Sequence, residues 1–331
     1  MKKFINDPSE LTQELLAGFE IAHGDIITVS PDRQISRVQP KSPDKVALVT
    51  LGGAGHEPAL SGFVGEGMLD VSVVGDIFAA PGPPAVFDAL KQVNREAGTL
   101  FVVLNHAGDV LSADMAMQMA EGEGLKIMKV LTHEDIAAGP DAPEADKRGL
   151  VGCVPLYKIA GAAAEAGKSL EEVHAIAERF NNNMATLAVA MKAATHPATG
   201  ETLFELADDE MEIGMGQHGE AGTGPCKIRT ADETAALMME RLLNAIGAKS
   251  GDKLMVILNG AGATTLMELY IVMNGVKKYL DEQGIEIVAT RVDELLTVQE
   301  MAGFQMCAAK MDDELVALWN APCNTPSWTV S

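Results

Sequence analysis

The sequence is poor in positive charge. It has 25 Lys and Arg residues against 47 Asp and Glu, which gives a formal net charge of −22 over 331 residues. Binding to nucleic acid or to an anionic membrane surface depends on clustered basic side chains, so this balance argues against both kinds of partner. The charge otherwise indicates only an acidic protein that its own repulsion keeps in solution.

Long apolar runs, a secretion signal and paired cysteines are also missing. No run approaches the roughly 18 apolar residues that cross a bilayer, and polar residues follow the first positions too soon for a signal peptide. The four cysteines lie far apart and form no Cys-x-x-Cys pair, so neither metal binding nor redox chemistry is indicated. We expect a cytoplasmic protein with reduced thiols.

Short apolar runs alternate with helical segments along the chain. Asp7 followed by Pro8 predicts the start of the first helix. Predicted strands end at Leu51, Gly75, Leu104, Leu131, Leu258, Thr290 and Ala309. This alternation predicts an α/β fold in which each domain has a mostly parallel or mixed sheet flanked by helices.

Two domains are expected from this length. The three asparagines at 181–183 end a helix, and the strand and helix pattern starts again after them. We therefore predict an N-terminal α/β domain of residues 1–183 and a C-terminal α/β domain of residues 184–331.

Polar loops follow two strands of the first half. Residues 52–58 (Gly-Gly-Ala-Gly-His-Glu-Pro) come after Leu51, and residues 105–109 (Asn-His-Ala-Gly-Asp) come after Leu104. In an open parallel sheet, ligands bind beyond the carboxyl ends of the strands. We therefore place His56, His106 and Asp109 around one candidate pocket.

Residues 52–58 match none of the common glycine-rich motifs. They lack the Lys-Ser or Lys-Thr ending of a Walker A loop and the spacing of a dinucleotide fingerprint. His56 is not followed by a second histidine one helical turn later, so the zinc motif is absent as well. Because no nucleotide-binding loop is found, a kinase that acts alone with ATP is disfavoured.

A third glycine-rich segment, residues 207–222, carries His218. Alternating glycines suit neither a helix nor a regular strand, so we predict a loop that exposes a neutral histidine as a nucleophile or hydrogen-bonding anchor. The alternative is a merely solvated histidine. The acidic residues 208–210 support this loop in our interpretation, and we predict no metal site. Four other histidines are interpreted as structural or solvated: His23, His133, His174 and His196.

Several motifs together resemble the substrate-binding K subunit of dihydroxyacetone kinase. The resemblance covers essentially the whole chain, and the blocks keep the family's order. They are residues 52–58, Gly65-Glu-Gly-Met68, residues 75–81, Asn105 with Gly108-Asp109, the segment around His218, Gly262-Ala-Thr with Glu268-Leu-Tyr270, and Leu318-Trp-Asn-Ala-Pro322.

The resemblance implies roles for particular residues. The histidine at the position of His218 forms a covalent hemiaminal with the carbonyl carbon of the substrate. The groups at Asp109 and His56 handle the hydroxyl that receives phosphate. The implied substrate-binding residues are Gly53, Ala54, Gly55, His56, Leu104, His106, Asp109 and His218.

The resemblance also implies partners. Phosphate comes from a separate nucleotide-bearing L subunit, so ADP or ATP and Mg²⁺ are expected on that subunit and no cofactor is expected on this chain. The L subunit is recharged from phosphoenolpyruvate through a phosphotransferase relay or uses ATP, and the sequence leaves this open. A homodimer with a role in glycerol metabolism is implied as well.

One departure from the family leaves the substrate open. The family commonly has Lys-Asn-Tyr-Thr-Gly-Asp where this chain has Leu104-Asn-His106-Ala-Gly-Asp109, so the lysine contact is missing. A four-carbon ketose such as erythrulose therefore rivals dihydroxyacetone. A second alternative is a ketose sensor that signals to a transcription regulator without phosphoryl transfer, although both His56 and Asp109 are present.

Overall fold

The computed structural model describes residues 2–139 and 142–331, which form two compact units. The N-terminal unit contains residues 2–132, 153–179 and 317–331, and the C-terminal unit contains residues 133–152 and 180–316. The chain crosses from one unit to the other after residues 132, 152, 179 and 316. The predicted domain boundary, after residue 183, lies near the third of these crossings. The sequence did not predict that residues 133–152 belong to the C-terminal unit or that residues 317–331 return to the N-terminal unit.

The N-terminal unit is built on a mixed sheet with the strand order β1-β2-β4-β3-β5-β6. The strands are β1 (Ile27–Val29), β2 (Gln34–Arg37), β3 (Ala47–Ala54), β4 (Val71–Ile77), β5 (Thr99–Leu104) and β6 (Ile127–Thr132). Strands β3 to β6 run parallel to one another, and β2 is antiparallel to both of its neighbours, β1 and β4. A short hairpin of β13 (Cys323–Asn324) and β14 (Thr329–Val330) belongs to the same unit.

Helices cover this sheet. They are α1 (Leu11–His23), α2 (Pro83–Gln92), α3 (Ala107–Gly122), α4 (Cys153–Glu165) and α5 (Leu170–Asn182), the last of which ends past the crossing after residue 179. The apolar faces of α2 and α3 pack on β3, β4 and β5 to form one core cluster. Helix α4 is rich in alanine and buried almost throughout, which suits a helix without a polar face.

The C-terminal unit has the strand order β11-β10-β12-β7-β8-β9. Its strands are β7 (Met184–Lys192), β8 (Glu210–Ile213), β9 (Pro225–Lys227), β10 (Lys253–Gly260), β11 (Glu286–Asp293) and β12 (Ala302–Lys310). Strands β10 and β11 are parallel, and the other neighbouring pairs are antiparallel. Its helices are α6 (Ala231–Ile246), α7 (Leu266–Gln283) and α8 (Asp313–Asn320), which ends past the crossing after residue 316.

Local sequence signals explain several helix starts. Thr230 and Glu233 form a capping box at α6, and Thr265 and Glu268 form one at α7. The first helix differs from the prediction because it begins at Leu11. Asp7 accepts hydrogen bonds from the backbone and hydroxyl of Ser9 and therefore closes a turn ahead of the helix.

The predicted fold class is confirmed: both units are α/β, with mixed sheets flanked by helices. The seven predicted strands are all present, and β5 has its predicted bounds. The other seven strands were not predicted: β1, β2, β7, β8, β9, β13 and β14. Among the described residues, no helix is both long enough and apolar enough to cross a membrane.

Candidate functional site

Two of the predicted loops meet at one edge of the N-terminal sheet. Strands β3 and β5 are parallel neighbours, with Ala47 opposite Thr99 and Thr50 opposite Val102. Their carboxyl ends therefore lie side by side, and the loop that carries His56 adjoins the start of α3, which carries Asp109. The predicted loop 105–109 is wrong in part, because the helix already begins at Ala107. This adjacency is what the sequence predicts for a pocket at this edge.

The glycines after β3 allow close packing of the backbone. Strand β3 continues to Ala54, so the strand is longer than predicted and includes Gly53. A Cβ atom at Gly53 would lie 2.7 Å from the backbone nitrogen of Ala79. Gly55 has φ +102°, and a Cβ there would lie 2.8 Å from the ring of Phe78. Both positions therefore require glycine.

His56 is buried rather than exposed to solvent. The residue is 5% exposed. The centroid of its ring lies 5.0 Å from that of Phe78, and the two ring planes are tilted by 42°. The next residue, Glu57, accepts a hydrogen bond of 3.0 Å from the backbone of Gly55. Burial raises the pKa of the Glu57 carboxyl, although this hydrogen bond lowers it in part. The loop is thus fixed on both sides of His56.

A separate cavity of about 600 Å³ lies on the other side of the same stretch. Its wall is formed by Leu15 and Phe19 of α1 and by Gly53, Ala54 and Pro58. Neither His56 nor Asp109 lines it. This cavity is therefore not the predicted pocket, even though it shares two of the predicted binding residues.

Asp109 lies in the first turn of α3. His106 is the N-cap residue of that helix and has extended backbone angles. The helix dipole stabilises a carboxylate at this position, and Asp109 is only 9% exposed. Leu104, the last residue of β5, has a buried side chain. Its contribution to a polar pocket is therefore limited to its backbone.

Tyr157 of α4 is hydrogen-bonded to the core of the N-terminal sheet. The hydroxyls of Tyr157 and Thr50 lie 3.0 Å apart, and Thr50 also donates to the carbonyl of Val102. Burial raises the pKa of Tyr157 well above its ordinary value, the nearby Cys153 and Asp109 raise it further, and the hydrogen bond with Thr50 lowers it in part. Tyr157 therefore remains a neutral hydrogen-bonding group beside the Asp109 carboxylate.

His218 lies in the turn between β8 and β9 of the C-terminal unit. Gly214 has φ +86° and Gly219 has φ +84°, and these left-handed conformations explain the glycines on either side of the histidine. The loop closes through a hydrogen bond of 2.8 Å from the backbone nitrogen of Gly216 to the carbonyl of Glu220. The side chain of His218 is 26% exposed, so the ring is neither locked in a core nor fully solvated.

Glu220 contacts both the backbone and the ring of His218. Its Oε2 accepts a hydrogen bond of 2.8 Å from the His218 backbone nitrogen, and its Oε1 lies 3.3 Å from Nδ1. Burial alone would raise the pKa of the Glu220 carboxyl, but the hydrogen bond and charge of His218 lower it well below its usual range. Glu220 is therefore ionised at neutral pH.

An ionised partner selects the tautomer of the imidazole. Because a carboxylate only accepts hydrogen bonds, Nδ1 is the protonated nitrogen and Nε2 carries the lone pair of the neutral ring. The pair therefore has the base-and-orienter arrangement of an activated nucleophile. Glu220 was not predicted as a functional residue, although its position two residues after the histidine was a usable signal.

The remaining polar residues of the prediction have structural contacts. His174 bonds the carbonyl of Lys129 through Nε2, and Nδ1 of His196 accepts from Ala198 in a turn. In the acidic stretch 208–210, Asp209 pairs with Lys227 across the β8–β9 hairpin. The sequence analysis also missed Arg148, which bonds two carbonyls of the His218 loop. No local pattern marked Arg148, since it lies far from that loop in the sequence.

The fold and these groups define a two-unit α/β protein with a carboxylate-backed histidine on a glycine loop. The chain belongs to the Dak1 domain family, whose model matches residues 17–327. It is 38% identical over 330 residues to the dihydroxyacetone-binding subunit DhaK of a PTS-dependent dihydroxyacetone kinase from Listeria innocua, covering 99% of this chain and 100% of that one. Identity to the corresponding Lactococcus lactis subunit is 40%, with 99% of each chain covered.

Other relatives and solved structures extend this comparison. The chain is 35% identical to a D-erythrulose kinase of Mycolicibacterium smegmatis, covering 99% of this chain and 56% of that enzyme. The dihydroxyacetone kinase operon co-activator Dha-DhaQ matches with a TM-score of 0.91 and 28% identity over 98% of this chain and 99% of that one. The dihydroxyacetone kinase of C. freundii matches with the same score and identity over 99% of this chain and 60% of its own.

Proposed function

We propose that this chain is the ketose-binding subunit of a dihydroxyacetone kinase. The observation that carries the proposal is the pair of His218 and Glu220, because an oriented neutral imidazole is the group that a covalent ketose anchor requires. Identity of 38 and 40% to DhaK subunits over nearly the full length supports it. A dimer of cytoplasmic subunits is part of the same proposal.

The anchoring step balances without a leaving group. The lone pair on Nε2 of His218 attacks the carbonyl carbon, a nitrogen–carbon bond forms, and the carbonyl π pair moves onto oxygen. The Nδ1 proton becomes acidic as the ring gains positive charge, and Glu220 stabilises that charge. The alkoxide takes up one proton and the ring loses one, so the product is a neutral hemiaminal with the combined mass of protein and substrate.

A covalent bond compensates for the weak non-covalent binding of a very small substrate. A triose has about six heavy atoms, and a ceiling of about 1.5 kcal/mol per atom limits its non-covalent affinity to ~9 kcal/mol. Glycerol would share most of those contacts. Because glycerol has no carbonyl carbon, the bond to His218 holds the ketose and rejects the polyol in one step.

Phosphoryl transfer then uses the groups of the N-terminal unit. In the proposal, Asp109 accepts the proton of the substrate hydroxyl as the phosphoryl group arrives, and His56 hydrogen-bonds the same hydroxyl. The carboxylate of Asp109 lies in the first turn of α3. This fixed position supports a role that depends on where the proton acceptor lies more than on its strength as a base. The phosphoryl group would come from a nucleotide and Mg²⁺ carried by a separate L subunit.

The test is intact-protein mass spectrometry under native conditions with dihydroxyacetone and with glycerol. We expect a mass increase of one triose with the ketone and none with glycerol. His218→Ala should abolish the increase, and His196→Ala, which changes another loop histidine of the same unit, should retain it. An adduct that survives in His218→Ala, or no adduct in the unchanged chain, would overturn the proposal.

A four-carbon ketose is the second candidate substrate. His106 stands where the family commonly has tyrosine, so the side chain at this position is smaller than the usual one. The D-erythrulose kinase among the relatives shows that the same fold occurs in enzymes named for that substrate. Initial rates with dihydroxyacetone and both erythrulose enantiomers, measured with an L subunit, decide between them.

A ketose sensor is the third candidate, and the similarity to the co-activator Dha-DhaQ motivates it. The presence of both Asp109 and His56 favours catalysis, because a sensor needs the anchor but not the groups that act on the hydroxyl. Turnover with an L subunit and a phosphoryl donor is the discriminating measurement. An adduct at His218 without any turnover would make the chain a sensor.

A further inference from the structure

The described residues 133–139 and 142–152 belong to the C-terminal unit and are tied to it near both ends of the segment. Oε1 of Glu134 accepts hydrogen bonds of 2.7 Å from the backbone of Leu150 and 3.0 Å from that of Gly152. Strand β7 contacts the start of the same segment, since Thr186 donates to the carbonyl of Glu134 over 2.7 Å. Glu134 thus links the start of this segment to its end, and the backbone nitrogen of Asp135 donates to the carbonyl of Arg148 over 3.0 Å.

Asp135 anchors the guanidinium of Arg148. Nε of Arg148 donates to Oδ2 of Asp135 over 2.7 Å, and the second terminal nitrogen lies 2.7 Å from the same oxygen. Asp135 is 2% exposed, and its other oxygen accepts from the backbone of Ala137 over 3.0 Å. A planar guanidinium held from two nitrogens has little freedom to rotate.

The outer side of the same guanidinium contacts both ends of the His218 loop. Nη2 donates to the carbonyl of Gly214 over 2.7 Å, and Nη1 donates to that of Glu220 over 3.5 Å. These two residues flank His218. One side chain from a distant part of the sequence therefore spans the loop and ties it to a buried carboxylate.

Gly216 provides an independent sign of this packing. A Cβ atom at Gly216 would clash with Nη1 of Arg148 and with Oε2 of Glu220. Both charged groups therefore border the space that a side chain at 216 would fill. The position is a glycine because the guanidinium and the carboxylate approach the loop backbone there.

We propose that Arg148, fixed by Asp135, is a positioning residue for His218. It holds the loop in the conformation in which the Glu220 carboxylate lies within hydrogen-bonding distance of Nδ1. The inference deepens the proposed function, on which it rests for the reaction that it affects. It adds a residue that touches neither the substrate nor the ring.

The expected size of the effect follows from loop freedom. The loop has glycines at 214, 216, 219 and 222, so without a tether its backbone samples many conformations. Apparent reactivity falls with the fraction of molecules in the competent conformation. Misplacement by about 1 Å costs on the order of 100-fold in rate. We expect Arg148→Met to slow adduct formation by about 10- to 100-fold.

The experiment compares Arg148→Met, Arg148→Lys and the control Arg241→Met, which removes an exposed arginine from α6 of the same unit. The adduct rate with dihydroxyacetone is followed by rapid-quench mass spectrometry. The ¹⁵N shifts of the His218 ring report its tautomer in the absence of substrate. We expect slow adduct formation and a mixed tautomer in Arg148→Met, partial recovery in Arg148→Lys, and no change in Arg241→Met.

A double variant separates positioning from stability, because Arg148→Met alone leaves a buried carboxylate without its cation. Asp135→Asn combined with Arg148→Met removes both charges, so its fold should be recovered while its adduct rate stays low. A folded double variant with the rate and tautomer of the unchanged protein would overturn the inference. If the unchanged protein forms no adduct, the proposed function fails, and the tautomer comparison still decides the role of Arg148.

Discussion

Nδ1 of His218 lies 3.3 Å from Oε1 of Glu220, two residues further along the same glycine loop. The other carboxylate oxygen binds the backbone of the histidine itself. One acidic side chain thus sets both the position and the protonated nitrogen of the ring. The reactivity of His218 should therefore depend on Glu220 more than on any other side chain of the loop.

Replacing Glu220 tests this dependence. Glu220→Gln keeps the shape and an acceptor oxygen but removes the charge that stabilises the ring as it turns cationic. We expect adduct formation with dihydroxyacetone to slow by about 10- to 100-fold, the usual cost of losing such a supporting partner. Rapid-quench mass spectrometry measures the rate of adduct formation. Glu210→Gln in β8 is the matched control, and equal rates for all three proteins would contradict the assignment.

Asp109 should separate binding from phosphoryl transfer. Asp109→Asn removes the proton acceptor but leaves His218 intact, so the adduct should form normally. Turnover with an L subunit should fall by at least about 100-fold, in line with the loss of a general base. Asp114→Asn, one turn further along α3, serves as the control. A variant that loses the adduct and the turnover together would show that Asp109 mainly supports the structure.

The ketose preference should respond to residue 106. His106→Tyr introduces the larger residue that the family commonly has and fills space beside Asp109. A pocket that loses the room of one carbon discriminates by about 10- to 200-fold. We expect kcat/KM for erythrulose to drop by at least about 10-fold, with a smaller change for dihydroxyacetone. An unchanged ratio of the two kcat/KM values would mean that His106 does not border the substrate.

Glu134 should make stability depend on pH. Burial raises the pKa of its carboxyl from 4.5 to about 7, the charge of Asp135 adds to the shift, and the hydrogen bonds from Leu150 and Gly152 oppose it. Its second oxygen, Oε2, is buried and has no hydrogen-bond partner among the residues that the structure describes. The folded state therefore binds this proton more tightly than the unfolded state does.

The sign of the pH effect follows from that difference. The contribution of Glu134 is most favourable below pH 4.5 and is lost as the pH rises to about 7, on the order of 3 kcal/mol in total. Glu134→Gln should flatten this part of the profile, whereas the exposed Glu121→Gln should not. Urea denaturation between about pH 5 and about pH 8 measures it. Parallel profiles for the unchanged chain and Glu134→Gln would refute the prediction.

Elements with strong local signals were predictable from the sequence. The run Thr99–Leu104 is apolar and β-branched, and it forms β5 at the predicted bounds. Thr230 with Glu233 predicts the start of α6 in the same way. Strand β7 was not predictable, because Met184–Lys192 is rich in alanine and methionine, which favour helices. It forms a strand because β12 and β8 pair with it on either side.

The candidate site likewise contains residues that could be predicted from the sequence and residues that could not. The loops of His56, Asp109 and His218 were predictable because glycines and polar residues interrupt the apolar pattern there. Arg148 was not, because its partners Gly214 and Glu220 become neighbours only through the fold. Leu104 entered the prediction only through the resemblance, as the residue that stands where the family commonly has lysine, and its side chain is buried.

The return of residues 317–331 to the N-terminal unit has a consequence for biosynthesis. Leu318 offers its carbonyl to the buried amine of Lys158 over 2.8 Å, and Ser327 bonds the backbone of Gly62 over 2.9 Å. The ribosome makes most of the N-terminal unit first. This unit therefore lacks its last segment, residues 317–331, until the C-terminal unit has been translated. A premature stop near residue 317 would leave the earlier half incomplete, and such truncated chains should be prime substrates for chaperones and proteases.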